Sequence, residues 1–263
     1  MTGYVMDNAA PKEHQRLQLL EAWADPGTIR HLEALGVARG WRCLEIGAGA
    51  GSIAAWLCRR VGPGGSVVAT DLDTRLLDGL DASGLEVRRH DIVQDPLVDR
   101  GGFDLVHARM VLEHVRDRER ALAHMVEALR PGGWLILEDQ DISPVLAVSE
   151  ADGHRAGLLM ERSTKLVRLL ASAGVDLQLG RRLFLELRDR LVDVSAEGRI
   201  CMVAGGSPLA QFWTMTWESL RAPLVRSGLL SPEEIDDQLV LLQDPGFVWQ
   251  GPAIMAAWGR RPT

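Results

Sequence analysis

An α/β fold, with a parallel sheet covered on both faces by helices, is what this 263-residue sequence predicts, and three observations carry it. Short apolar runs of strand length alternate with helical segments from residue 41 to residue 138, the order that builds a parallel sheet from strand–helix–strand crossovers. A glycine-rich turn, Gly47-Ala48-Gly49-Ala50-Gly51, leaves the first strand and opens a helix. With 46% hydrophobic and 25% charged residues, the chain has the composition of an ordinary globular protein.

In order, residues 12–24 carry Leu17, Leu20 and Ala24 at helical spacing and are expected to stop before Asp25-Pro26-Gly27. Thr28 then caps a short second helix that ends at Gly36. Residues 41–46 form a buried strand, 52–60 a helix closed by Gly62-Pro63-Gly64-Gly65, and 67–70 a strand that stops at Asp71. A short helix over 74–80 precedes a weaker strand at 86–89 and a fourth strand at 103–107. Asp117 caps an amphipathic helix with Leu122, Met125, Val126 and Leu129 on one face, and Arg130-Pro131-Gly132-Gly133 leads into a fifth strand at 134–138.

From Ser143 the rhythm changes. Helical stretches at 158–173 and 181–190 precede strand-like patterning at 192–194 and 199–204; a second helical pair, 209–226 and 231–242, precedes the apolar run 253–258. Ser231-Pro232-Glu233-Glu234 is a strong helix start, an N-cap serine with proline at the first helical position and glutamate completing a capping box. The segments 143–190 and 207–245 read as helical decoration over the sheet edge, because neither has enough strands for a core of its own.

Charge and composition exclude several classes. The net charge is −7, and only Lys12 and Lys165 among the 29 basic residues are lysines, with no basic run, a poor match to the concentrated positive surface that nucleic acid requires. No stretch approaches the roughly 18 apolar residues of a membrane span. Residues 1–8 lack the basic segment and apolar run of a signal peptide. Cys43, Cys58 and Cys201 are odd in number and lack metal-ligand spacing, so a reduced, cytoplasmic protein is expected. All seven histidines lie at or before His154, which places any histidine chemistry in the first part of the chain.

The glycine turn lets the backbone approach a ligand closely. A nicotinamide-binding turn would place its third glycine at position 52, where this chain has Ser52. Asp71, 20 residues after Gly51, can hydrogen-bond ribose hydroxyls, a spacing that suits either type of cofactor. Glu45 discriminates: two residues before the first glycine, it would repel a pyrophosphate and favour a cationic ligand. S-adenosylmethionine, with a ribose, an ammonium and a sulfonium but no phosphate, fits that requirement.

Residues 43–51 (Cys-Leu-Glu-Ile-Gly-Ala-Gly-Ala-Gly) resemble the first motif of the class I S-adenosylmethionine-dependent methyltransferases, and Val68-Ala69-Thr70-Asp71-Leu72-Asp73 is similar to their second. His90-Asp91-Ile92, Phe103-Asp104-Leu105-Val106, Leu112-Glu113-His114-Val115 and Leu129-Arg130-Pro131-Gly132-Gly133-Trp134 follow in family order. The resemblance implies a Rossmann-like three-layer sandwich, a mostly parallel seven-stranded sheet with an antiparallel last strand, and helical cap insertions. It places the cofactor-binding core at 1–142, a helical cap at 143–190 and the last strands at 191–263.

The same resemblance implies residue roles. Gly47, Ala48, Gly49 and Gly51 form the wall against the methionine portion, Asp71 holds the ribose, and Leu72 packs on adenine. Asp91 and the Ile92 amide read the adenine edge, and the backbone of Ala108 and Arg109 lies near the ammonium. Arg16 could pair with the methionine carboxylate; an exposed helix charge is the equal alternative.

Methyl transfer requires alignment, exclusion of water and, where needed, a base near the ends of strands four and five. His107 and His114 are the candidates, with a structural histidine the favoured alternative for His114. Some relatives bind a divalent metal through a Glu-x-x-Glu-His pattern, but Met110 replaces the first carboxylate here, so no metal is expected. Trp213 and Trp217, four residues apart, could wall a substrate pocket, though packing against the sheet is the simpler reading. The sequence thus predicts a methyltransferase acting on a small organic molecule of specialised metabolism, by transfer to O, N or C, without nucleic-acid or membrane partners. A homodimer is compatible with it. The rivals are a dinucleotide-dependent oxidoreductase and a non-catalytic adenosylmethionine-binding regulator.

Overall fold

The computed structural model describes residues 12–96, 99–143, 146–147 and 153–263; residues 1–8, read above for a leader segment, lie outside them. Strands β1 (Arg42–Ile46), β2 (Ser66–Asp71), β3 (Leu85–Arg89), β4 (Phe103–Arg109) and β5 (Leu129–Asp141) pair in parallel in the order β3-β2-β1-β4-β5. The last strand, β8 (Val248–Arg260), runs antiparallel between β5 and β7 (Val192–Ala204). These seven strands are the expected mixed sheet. A two-residue strand, β6 (Leu146–Ala147), pairs with β8 beyond the end of β5 and so prolongs that edge.

Residues that alternate along each strand divide the core. Cys43, Val67, Leu105 and Ile136 face one side with Leu57 and Val61 of α2 (Ser52–Val61) and Leu32 of α1 (Glu13–Ala34). Leu44, Val68, Val106 and Leu135 face the other with Leu122 and Met125 of α3 (Arg118–Ala128) and Leu183 and Leu187 of α5 (Leu183–Arg188). This is the two-sided burial that a parallel sheet demands. A third apolar cluster joins α4 (Gly153–Ser172), α6 (Pro208–Ser219), α7 (Arg221–Arg226) and α8 (Pro232–Gln243) to Trp249 and Ile254 of β8 and to Trp23 and Ala24 of α1.

Several element boundaries differ from the sequence reading. The two expected N-terminal helices are one, with Pro26 inside it. Proline removes one helical hydrogen bond, but bonds from Asp25 to Ser52 and Arg109 and from Thr28 to Glu138 hold the segment through the break. Thr28 is therefore a tether to β5, not a cap. The 74–80 helix shrinks to one turn, Thr74–Leu76, capped by Asp73. The 209–226 stretch divides at Leu220, where Pro223 cannot donate to the preceding turn. The segments 192–194 and 199–204 join in one strand with a register shift near Asp193, which adopts φ +53°. The capping box at Ser231 is formed as expected.

Candidate active site

A cavity of about 900 Å³ opens over the C-terminal ends of β1, β2, β4 and β5, the edge at which ligands bind in open α/β sheets. Its floor is the glycine turn. The Gly47 and Ala48 amides both donate to the Thr70 carbonyl at 2.8 and 3.0 Å, so the turn is stitched to the end of β2. Gly47 has φ +68°, and a Cβ there would lie 2.3 Å from a Val111 methyl; only glycine combines that backbone with that approach. The turn's next amide, Gly49, donates to Asp71 Oδ2 at 3.0 Å, and Asp73 N donates to Oδ1 at 3.0 Å. Burial pushes the Asp71 carboxyl above the usual carboxylate value despite these donors.

Of the residues expected at the cofactor, Arg16, Glu45, Gly47, Ala48, Gly49, Asp71, Leu72, Asp91, Ile92 and Arg109 line this cavity, and so does His114. Three do not. Gly51 instead opens α2 at φ +93°, where a Cβ would meet Leu80 and Leu77 at 2.7 and 2.9 Å. Ala108 is buried in the sheet. His107 is 0% exposed: its position on β4 puts it beside Glu45 on β1, with Nδ1 donating to Glu45 Oε2 at 2.6 Å and Nε2 3.4 Å from Glu138 Oε2. Burial alone would push this imidazole down, but the Glu45 and Glu138 carboxylates raise it to about 9. The ring therefore sits between two carboxylates beneath the site and does not line the cavity, where the sequence reading puts a base.

Glu138 is held well below the usual carboxylate range: burial opposes ionisation, and His107 and His31 more than offset it. Arg109 lines the cavity, but its guanidinium is turned to α1, donating to Thr28 Oγ1 at 3.0 Å and lying 2.9 Å from Asp25 Oδ1. Arg16 makes a two-pronged pair with Glu13, at 2.6 and 2.9 Å, and stacks 5.3 Å from the Phe212 ring centre. Asp91 caps the following turn, accepting from Val93 N and Gln94 N at 2.9 and 3.2 Å.

Beside the turn at the end of β4, His114 Nε2 lies 3.4 Å from Glu113 Oε1. Glu113 also accepts from the Gln140 backbone at 3.2 Å and the Gln140 side chain at 3.4 Å. Next to it, burial first and the Glu113 charge second push the Asp139 carboxyl well up. Met110, the residue in place of the relatives' first carboxylate, sits at φ +54° with its amide on the Glu138 carbonyl at 2.6 Å. Among the described residues no group of three or more His, Cys, Asp or Glu could hold a metal ion.

Beside Trp213, sequence reasoning missed the rest of the far wall, which Leu170, Val175, Leu177, Phe212 and Gln140 supply. The tryptophan pair separates: Trp213 borders the cavity, whereas Trp217 is buried in the cap cluster. Only the four-residue spacing hinted at Trp213; apolar residues on distant helices carry no signal that distinguishes cavity from core.

A family described as a methyltransferase domain matches residues 9–181. Methyltransferase str2 of Strobilurus tenacellus is 31% identical over 158 residues, 58% of this chain and 54% of that protein; the match spans about half the length of this curated relative. Among solved structures, the [4+2]-cyclase SpnF superposes with a TM-score of 0.53 at 20% identity, covering 91% of this chain and 82% of SpnF. A phosphoethanolamine N-methyltransferase 2 from Haemonchus contortus, in complex with phosphomonomethylethanolamine and S-adenosylhomocysteine, gives 0.51 at 16% identity, covering 95% and 52%. At these identities the structural likeness establishes the shared fold.

Proposed function

Because the chain belongs to the methyltransferase-domain family, we propose that it is an S-adenosylmethionine-dependent methyltransferase acting on a small organic molecule of the specialised-metabolite type. The observation that carries this reading is one continuous cavity with two unlike walls. One is polar and carries Glu45, Asp71 and the glycine turn; the other is apolar and carries Leu170, Val175, Leu177, Phe212 and Trp213. At about 900 Å³ it has room for a nucleoside cofactor and a second molecule.

The polar wall fits the cofactor by its chemistry. Asp71 offers acceptors at a ribose, Glu45 complements a cation, and the backbone at Gly47 and Gly49 permits close approach. Bound S-adenosylmethionine supplies an electrophilic methyl on a good leaving group. The chain's own residues then align the acceptor, exclude water and accept a proton. We assign the last task to His114, which lines the cavity and has Glu113 3.4 Å from its Nε2 to stabilise the imidazolium that forms. The acceptor's nucleophile is an O, N or C atom presented from the apolar wall.

The test is incubation of the protein with isotopically labelled S-adenosylmethionine and metabolite extracts, followed by mass spectrometry. A labelled product heavier by one CH₂ is expected. Tight cofactor binding without transfer to any acceptor would replace this reading with that of a binding protein.

A further inference from the structure

The buried ion network beneath the cavity begins and ends on the cavity wall. From Glu45 it passes to His107 at 2.6 Å and on to Glu138 at 3.4 Å. Glu138 accepts from Thr28 of α1 through Oε2 and from His31 Nδ1 at 3.0 Å through Oε1. Arg109 then links Thr28 Oγ1, at 3.0 Å, to Asp25, at 2.9 Å. Asp25 accepts from Ser52 Oγ at 3.0 Å, and Ser52 N donates to Glu21 Oε1 at 3.2 Å. Glu45, Ser52 and Glu21 all face the cavity. Outside this path, Arg30 bridges His31 Nε2, at 3.0 Å, to Glu197 of β7.

Glu45, His107 and Glu138 are 3%, 0% and 1% exposed. Burying three ionisable groups stabilises a fold no better than apolar packing of the same volume. What the arrangement does supply is direction. It fixes one carboxylate oxygen of Glu45 on β4, and it fastens α1, which brings Arg16, Leu17, Leu20 and Glu21 to the cavity, to the C-terminal part of the sheet.

We propose that His107 is a positioning residue, which sets the Glu45 carboxylate toward the cationic end of the cofactor and, through Glu138 and Thr28, holds α1 as the wall over it. This rests on the reading of the cavity as an S-adenosylmethionine site. His107 touches neither cofactor nor acceptor; it acts through Glu45 and α1.

The experiment measures S-adenosylmethionine Kd by calorimetry for the wild type, His107→Gln, Glu45→Gln and the double variant. Each single change is expected to weaken binding at least tenfold, and the double variant to lose clearly less than the product of the two, because the part of His107's effect that runs through Glu45 is already gone in Glu45→Gln. Wild-type affinity in His107→Gln, or effects that multiply in the double variant, would overturn the proposal. Thr28→Val, which leaves every charge in place, provides the second arm and decides the matter if His107→Gln does not fold. Faster amide exchange across residues 17–21 with a Kd raised at least threefold is expected; no change in either overturns the coupling to α1. A wild-type protein that does not bind S-adenosylmethionine would sink the cofactor reading, while amide exchange in Thr28→Val still reports on the tether.

Discussion

The two walls of the cavity are built by different means. On the cofactor side, backbone hydrogen bonds and short polar contacts fix the main groups: the glycine turn to Thr70, Asp71 to the turn, and Glu45 to His107. On the cap side, apolar packing of Leu170 of α4 and Phe212 and Trp213 of α6 determines shape. A wall made of directional bonds tolerates little change and suits an invariant ligand. A wall made of apolar side chains tolerates repacking with modest loss, and suits a surface that has to match one particular acceptor.

Substitutions on the two sides should therefore differ in kind as well as size. Gly47→Ala is expected to be the most damaging. It combines a left-handed backbone, costing about 1–2 kcal/mol, with overpacking against Val111, about 1–3 kcal/mol more, so cofactor binding should be lost while circular dichroism shows the sheet retained. Asp71→Ala should weaken cofactor binding by roughly 1–3 kcal/mol, the scale for a hydrogen bond to a charged group; unchanged affinity in calorimetry would remove this carboxylate from the ribose.

A comparable effect is expected from pH. The folded His107 value of about 9 lies above the ordinary 6.5, so its contribution to stability is complete below pH 6.5 and is lost as pH rises toward 9. Glu138, held low, acts in the opposite sense and loses its contribution in acid. Urea unfolding should accordingly show a midpoint at pH 6.5 above that at pH 9, by on the order of 1–3 kcal/mol in stability. A flat profile would mean that the imidazole is not charged between its carboxylates. The smallest change belongs to the cap: Trp213→Phe should raise the acceptor KM severalfold, about 1 kcal/mol, with cofactor Kd untouched. Equal effects on both constants would show that the walls are not independent.

Much of the cofactor wall was legible in the sequence because its signals are local. β1 leads into Gly47-Ala48-Gly49 and the next strand ends at Asp71; because consecutive strands usually lie side by side, as β1 and β2 do here, spacing brings the two together. His107 was misread for an instructive reason. Alternation along β4 gives its face of the sheet, but not that β1 and β5 each place a glutamate beside it. The single helix through Pro26 was equally hidden, since local propensity argues for a break and only contacts with Ser52, Arg109 and Glu138 overrule it.

By itself, then, the sequence determined the sheet, its crossovers and the glycine turn, because hydrophobic alternation and turn chemistry act over a few residues and are written in order along the chain. The tertiary structure decided which groups are charged, which are buried, and which apolar residues of the cap face a cavity instead of a core. Those properties depend on neighbours brought from far along the chain: the partners of Glu138 lie 107 and 110 residues away in His31 and Thr28. Burial and opposing charge, not residue type, set what such groups can do.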